Sequence, residues 1–124
     1  MTDSTLDHDL ALRGCEALLR FHGLVAKGWK VIIRPLRADK EALGITTDPH
    51  SNAFCAYDSK LIVLDVSLSK PFELGDVMLH EIAHALLPAD EDHSHKWAAK
   101  ALEIGVSETN VKAHCPTYFE ECEL

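Results

Sequence analysis

Residues 77 to 87 read Val-Met-Leu-His-Glu-Ile-Ala-His-Ala-Leu-Leu, and eight of these eleven are apolar. At about 100° per residue the apolar positions go right round a helix instead of forming one stripe. Such a helix has to be enclosed by the rest of the chain. Its only polar positions are His80, Glu81 and His84. Two imidazoles and a carboxylate buried without partners are costly, so something must satisfy them. His80 and His84 lie one helical turn apart and point the same way.

The surrounding sequence supplies the enclosure. Proline suits a first turn and cannot continue a last one, so the helix is expected from Ser69-Lys70-Pro71 to Pro88. Leu6, Leu10, Ala17, Leu18, Phe21, Leu24 and Val25 are spaced as one face of an N-terminal helix, with Ser4 and Asp7 at its start and Gly28 as its stop. Residues 29–34 read as a strand closed by Pro35, and residues 36–50 as irregular. Residues 52–57 and 60–65 read as two strands of a hairpin around Asp58-Ser59. A second helix follows Asp90-Glu91-Asp92 and stops at Gly105, with Trp97, Ala98, Ala101 and Leu102 as its apolar stripe. A short helix over 107–113, then His114-Cys115-Pro116 and an acidic end, complete the chain. The order predicts an α+β domain: helices against a small, mostly antiparallel sheet. The 124 residues suffice for one domain.

Composition removes several functions. Acidic residues outnumber Lys and Arg 20 to 12, a net charge of −8, which opposes nucleic-acid binding by this surface. Lys27, Lys30, Arg34 and Arg37 read as solvated strand ends. No run reaches the ~18 apolar residues of a membrane span, so no membrane partner is expected. Residues 1–7 are acidic and lack the basic and apolar parts of a signal peptide, so a cytoplasmic protein is expected. Cys15, Cys55, Cys115 and Cys122 are then reduced thiols, with Cys15 and Cys55 acting as small hydrophobes.

The polar break in the helix carries the chemistry. Two imidazoles one turn apart can bind one Zn²⁺ at ~2.0–2.1 Å each, and Glu81, the next residue, reaches a bound water instead of the metal. Catalytic zinc takes a third protein ligand, for which His93 and His95 are candidates with Glu91 or Asp92 behind them. Two residues apart on a helix they point about 200° from each other, so one ion cannot easily take both, and geometry leaves the choice open.

The stretch from His80-Glu81-Ile82-Ala83-His84 through His93-Ser94-His95-Lys96-Trp97 to Ala101-Leu102-Glu103-Ile104-Gly105 resembles the SprT-like (Spartan-type) zinc metallopeptidases, which are zincins. In that family the third ligand is a histidine four residues before an aromatic on the next helix. Matching Trp97 to the aromatic implies His93. The order of an N-terminal helix, a small sheet with a hairpin and the active helix is similar too. The resemblance implies a zincin-like minimal domain over 1–105, with residues 106–124 as a tail packed on it or extending from it. It implies one catalytic Zn²⁺ on His80, His84 and His93, Glu81 as general base, and a protein or peptide substrate. Ser94 stands where the family usually has glycine. The four-cysteine zinc ribbon of many relatives is reduced here to His114, Cys115 and Cys122, so no second zinc is expected.

An extended peptide would pair with the nearer hairpin strand. Tyr57, Tyr118 and His95 are candidates for stabilising an oxyanion, and Ser67, Asp65 and Asp76 for orienting a ligand histidine. Two other functions compete: a zinc-binding regulatory module without turnover, and a three-histidine endoribonuclease. Glu81 and the acidic charge both count against the second.

Overall fold

The computed structural model describes residues 8–36, 53–68 and 70–122. The expected Ser4 cap, Leu6, Arg37, Ser69 and the irregular stretch 37–50 lie outside the described residues.

The first helix, α1 (His8–Phe21), buries Ala11, Cys15 and Leu19, each one turn from the next. Leu10 and Phe21, expected on the inner face, are 63% and 82% exposed, and Ala17 is exposed with them. The helix also ends before Gly28. Gly23 at φ +77° closes it, with its N–H on Arg20 C=O (3.0 Å) and the Leu24 N–H on Leu19 C=O (2.9 Å), the paired bonds of a glycine C-cap. Gly28 instead ends the 3₁₀ turn Val25–Lys27.

Three strands follow, β1 (Lys30–Arg34), β2 (Ala53–Ala56) and β3 (Leu61–Asp65). β3 is central. It pairs antiparallel with β2 through the expected hairpin and parallel with β1, so the sheet is mixed. Ile62, Val63 and Leu64 are all buried, as a strand covered on both faces requires. The hairpin connection is longer than Asp58-Ser59 alone: it runs from Tyr57 to Lys60, whose φ of +54° takes the left-handed place a glycine would fill.

The helix that carries His80 and His84, α2 (Pro71–Ala85), starts with Pro71 in its first turn, as expected. It is gripped on two sides. Leu74, Met78 and Ile82 join α1 and the sheet in one core cluster with Leu19, Trp29, Ile62 and Leu64. Ala83 joins a second cluster with Trp97, Ala98, Ala101, Val106, Val111 and Cys115. Helix α3 (His95–Ile104) is capped by the Ser94 hydroxyl, which accepts from Trp97 N–H at 3.3 Å, and by Gly105 at φ +109°. The short helix expected after it is α4 (Glu108–His114), capped by Ser107 Oγ on Asn110 N–H at 3.2 Å. A further helix, α5 (Pro116–Cys122), was not foreseen. Cys15, Cys55 and Cys115 are free thiols. No helix among the described residues is long and apolar enough to cross a membrane.

Candidate metal centre

α2 presents His80 and His84 from successive turns, both buried. A 3₁₀ turn over Ala89–Glu91 then swings the chain back, and Asp92, at φ +44° and ψ −130°, delivers His93 to the same point. The three Nε2 atoms form a triangle with sides of 3.1, 3.1 and 3.3 Å. Nitrogens bound ~2.05 Å from one tetrahedral ion are about 3.3 Å apart, so the triangle is the right size for zinc. His80, His84 and His93 are a group that can hold a metal ion.

His95 goes elsewhere. Ser94 caps α3, so His93 stays in the loop while His95 enters the first turn. There its Nε2 meets Thr117 Oγ1 at 3.0 Å and its ring lies edge-on to Tyr118. The cap thus places His93, and not His95, beside His80 and His84.

Burial keeps the imidazoles neutral. It pushes His80 down to about 3 and His84 to about 4, and it lowers His93, with further lowering from nearby imidazoles. Only the neutral ring offers a lone pair to a cation, so the group is poised to accept one. Glu81 is also buried, and desolvation pushes its carboxyl up to about 7. Its Oε2 lies 4.0 Å from His80 Nε2, beside the triangle rather than in it.

The back of the site is built from the C-terminal segment. Asn110 Oδ1 lies 2.8 Å from His80 Nδ1. Asn110 Nδ2 donates to Asp76 Oδ2 at 3.0 Å, and a carboxylate only accepts, so the amide oxygen is the atom facing His80. His80 Nδ1–H therefore donates to it, leaving the Nε2 lone pair for the triangle. Trp97, fully buried, floors the group: it stacks on His84 at 5.4 Å and lies 4.6 Å from His80 and 4.8 Å from His93. The exposed His114 ring stands 4.6 Å from His80 and 4.8 Å from His93, with Nδ1–H donating to Asn110 C=O at 2.9 Å.

The triangle opens into a cleft of about 630 Å³. Ala53, Phe54, Cys55 and Tyr57 form one wall, and Ala89, Asp92, Asn110 and His114 form others. Tyr57 donates its hydroxyl to His84 C=O at 3.2 Å and lines the cleft, whereas Tyr118 packs on His95 and Phe119. Of the candidates for orienting a ligand, Asp76 reaches His80 through Asn110. Asp65 accepts instead from the backbone N–H of Leu36 (2.8 Å) and Ser67 (3.0 Å). Asn110 and His114 were missed by sequence reasoning. Their signal was a polar pair one turn apart, on and just after the short helix expected over 107–113.

Fold and site together define an α+β protein with a three-histidine group able to hold a metal, in a cleft that also holds a buried carboxylate. The chain matches no family model, no curated protein and no solved structure.

Proposed function

We propose that the chain is a zinc-dependent metallopeptidase that hydrolyses peptide bonds with Glu81 as general base. The observation that carries this reading is the triangle of Nε2 atoms, 3.1 to 3.3 Å on a side, opening with Glu81 into one cleft. The neutral three-nitrogen set suits zinc better than the oxygen-seeking magnesium or calcium. His80, His84 and His93 would hold the zinc ion, which would supply Lewis acidity and would lower the pKa of a water towards ~7.

The remaining steps belong to the protein. Glu81 takes a proton from the attacking water on a carboxylate oxygen and later returns it to the leaving amine nitrogen. Desolvation raises this carboxyl to about 7 in the metal-free site, and a cation beside it favours the ionised form that accepts the proton. Asn110 holds His80 in one tautomer. The β2 wall of the cleft, Ala53 to Cys55, is the setting for a peptide bound extended alongside a strand. A cytoplasmic location belongs to the same proposal, and the free thiols of Cys15, Cys55 and Cys115 support it.

The test is zinc-loaded protein incubated with unfolded casein and with a protein bound to DNA, with Glu81→Gln as control. Wild type should cleave and the variant should bind one zinc without cleaving. Full activity in Glu81→Gln refutes the mechanism. One equivalent of zinc without cleavage of any substrate makes the chain a metal-binding module.

A further inference from the structure

We infer that Asp76 and Asn110 are positioning residues for His80, and that the metal centre is complete only when residues 107–114 are docked on α2. The inference rests on the metal-binding part of the proposed function and is independent of turnover.

Asp76 lies on α2 one turn before His80. Its carboxylate gathers three donors from the segment after α3: Ser107 N–H at 2.7 Å, Ser107 Oγ at 2.9 Å and Asn110 Nδ2 at 3.0 Å. The last of these turns the Asn110 oxygen towards His80 Nδ1, at 2.8 Å. One acceptor on α2 thus orders the start of α4, and α4 returns an acceptor to the ligand one turn further along α2. A helix of seven residues is not stable alone, so its place depends on this clamp and on Val111 and Cys115 buried beside Trp97. Without α4 the His80 Nδ1–H loses its acceptor. The ring is then free to rotate or to present the other tautomer, and the lone pair is no longer fixed on the triangle.

Coupling of this kind runs both ways. If docking of α4 strengthens the metal site, a bound metal strengthens the docking of α4 by the same factor. The C-terminal segment, which lines the cleft but supplies none of the three ligands, then becomes ordered in proportion to metal occupancy.

Zinc affinity of the whole chain, read by competition with a chromophoric chelator, tests the first half. Asn110→Ala should weaken zinc binding 10- to 100-fold, the usual loss when a ligand histidine is deprived of its partner. Asn110→Asp keeps an oxygen for His80 Nδ1–H and should retain affinity within a few-fold of wild type. It also sets a second carboxylate against Asp76, so it should be the less stable variant. A merely structural role predicts the opposite order of affinities, because the repulsive variant would then bind zinc worst. Amide hydrogen exchange over residues 107–115 tests the second half: zinc should slow it in wild type and not in Asn110→Ala. Zinc affinities of wild type and Asn110→Ala within twofold, or exchange there that ignores zinc in wild type, overturn the inference. A wild-type chain that binds no zinc overturns the metal reading as well, so the two failures are distinguishable.

Discussion

Zinc arriving at the triangle should displace almost no protons from His80 and His84, less than an ordinary imidazole's share from His93, and about one from Glu81. An ordinary imidazole, with its pKa near 6.5, carries about three-quarters of a proton at pH 6, so three exposed ligands would release more than two on binding a metal. Here burial sets His80 at about 3 and His84 at about 4, so at pH 6 neither holds a proton. His93 is lowered as well and contributes less than an ordinary imidazole. Glu81 runs the other way: at about 7 it is mostly protonated at pH 6, and a cation beside it drives that proton off. Wild type should therefore release about one proton more than Glu81→Gln, and the variant fewer than about one in all. Calorimetric titration of zinc into the metal-free protein, repeated in weakly chelating buffers of different ionisation enthalpy, yields the number as a slope. The sign with pH follows: wild-type affinity should fall as pH drops through 7, where protons compete for Glu81, while the Glu81→Gln curve falls less steeply over the same range. Release of two or more protons by Glu81→Gln at pH 6 would show that the ligand imidazoles are charged in the metal-free fold, refuting the burial argument.

Two substitutions test how the site is held. Asp92→Gly removes a side chain from a φ of +44° but also takes away the carboxylate 3.4 Å from His93 Nδ1. Relief of about 1 kcal/mol of backbone strain should raise the melting temperature of the metal-free protein by about 4 °C. Zinc affinity should fall several-fold, as read by chelator competition; unchanged affinity would mean that this turn does not aim His93. Gly105→Ala adds a methyl 3.6 Å from Leu79 Cδ1, an ordinary contact, so its cost lies in the φ of +109°. The urea midpoint should drop by the equivalent of about 1–2 kcal/mol with zinc stoichiometry unchanged.

The two long helices after the sheet were legible because their ends are punctuated. Pro71 and Pro88 bracket one, and the Asp90-Glu91-Asp92 cluster and Gly105 the other. The inner face of α1 was misread because it is built from Ala11 and Cys15, which hydropathy underweights beside Leu10 and Phe21. Gly23 rather than Gly28 ends that helix because Gly23 takes the left-handed turn five residues earlier and closes the paired cap bonds. The parallel pairing of β1 with β3 depends on where the chain goes between them, and no local pattern encodes that. His80 and His84 could be paired by counting, since a helix has a fixed period. Asn110 could not, because its hydrogen bond to His80 spans thirty residues and exists only through Asp76.

The double grip on α2 divides the three candidate ligands by how freely they can be exchanged. Residues 80–84 are buried without a gap between the two core clusters, so a new side chain there changes packing and chemistry together. His93 is half-buried on a loop. A cysteine or carboxylate at that position would retune metal preference at small expense to the core, which makes His93 the point where selection or design can choose the ion.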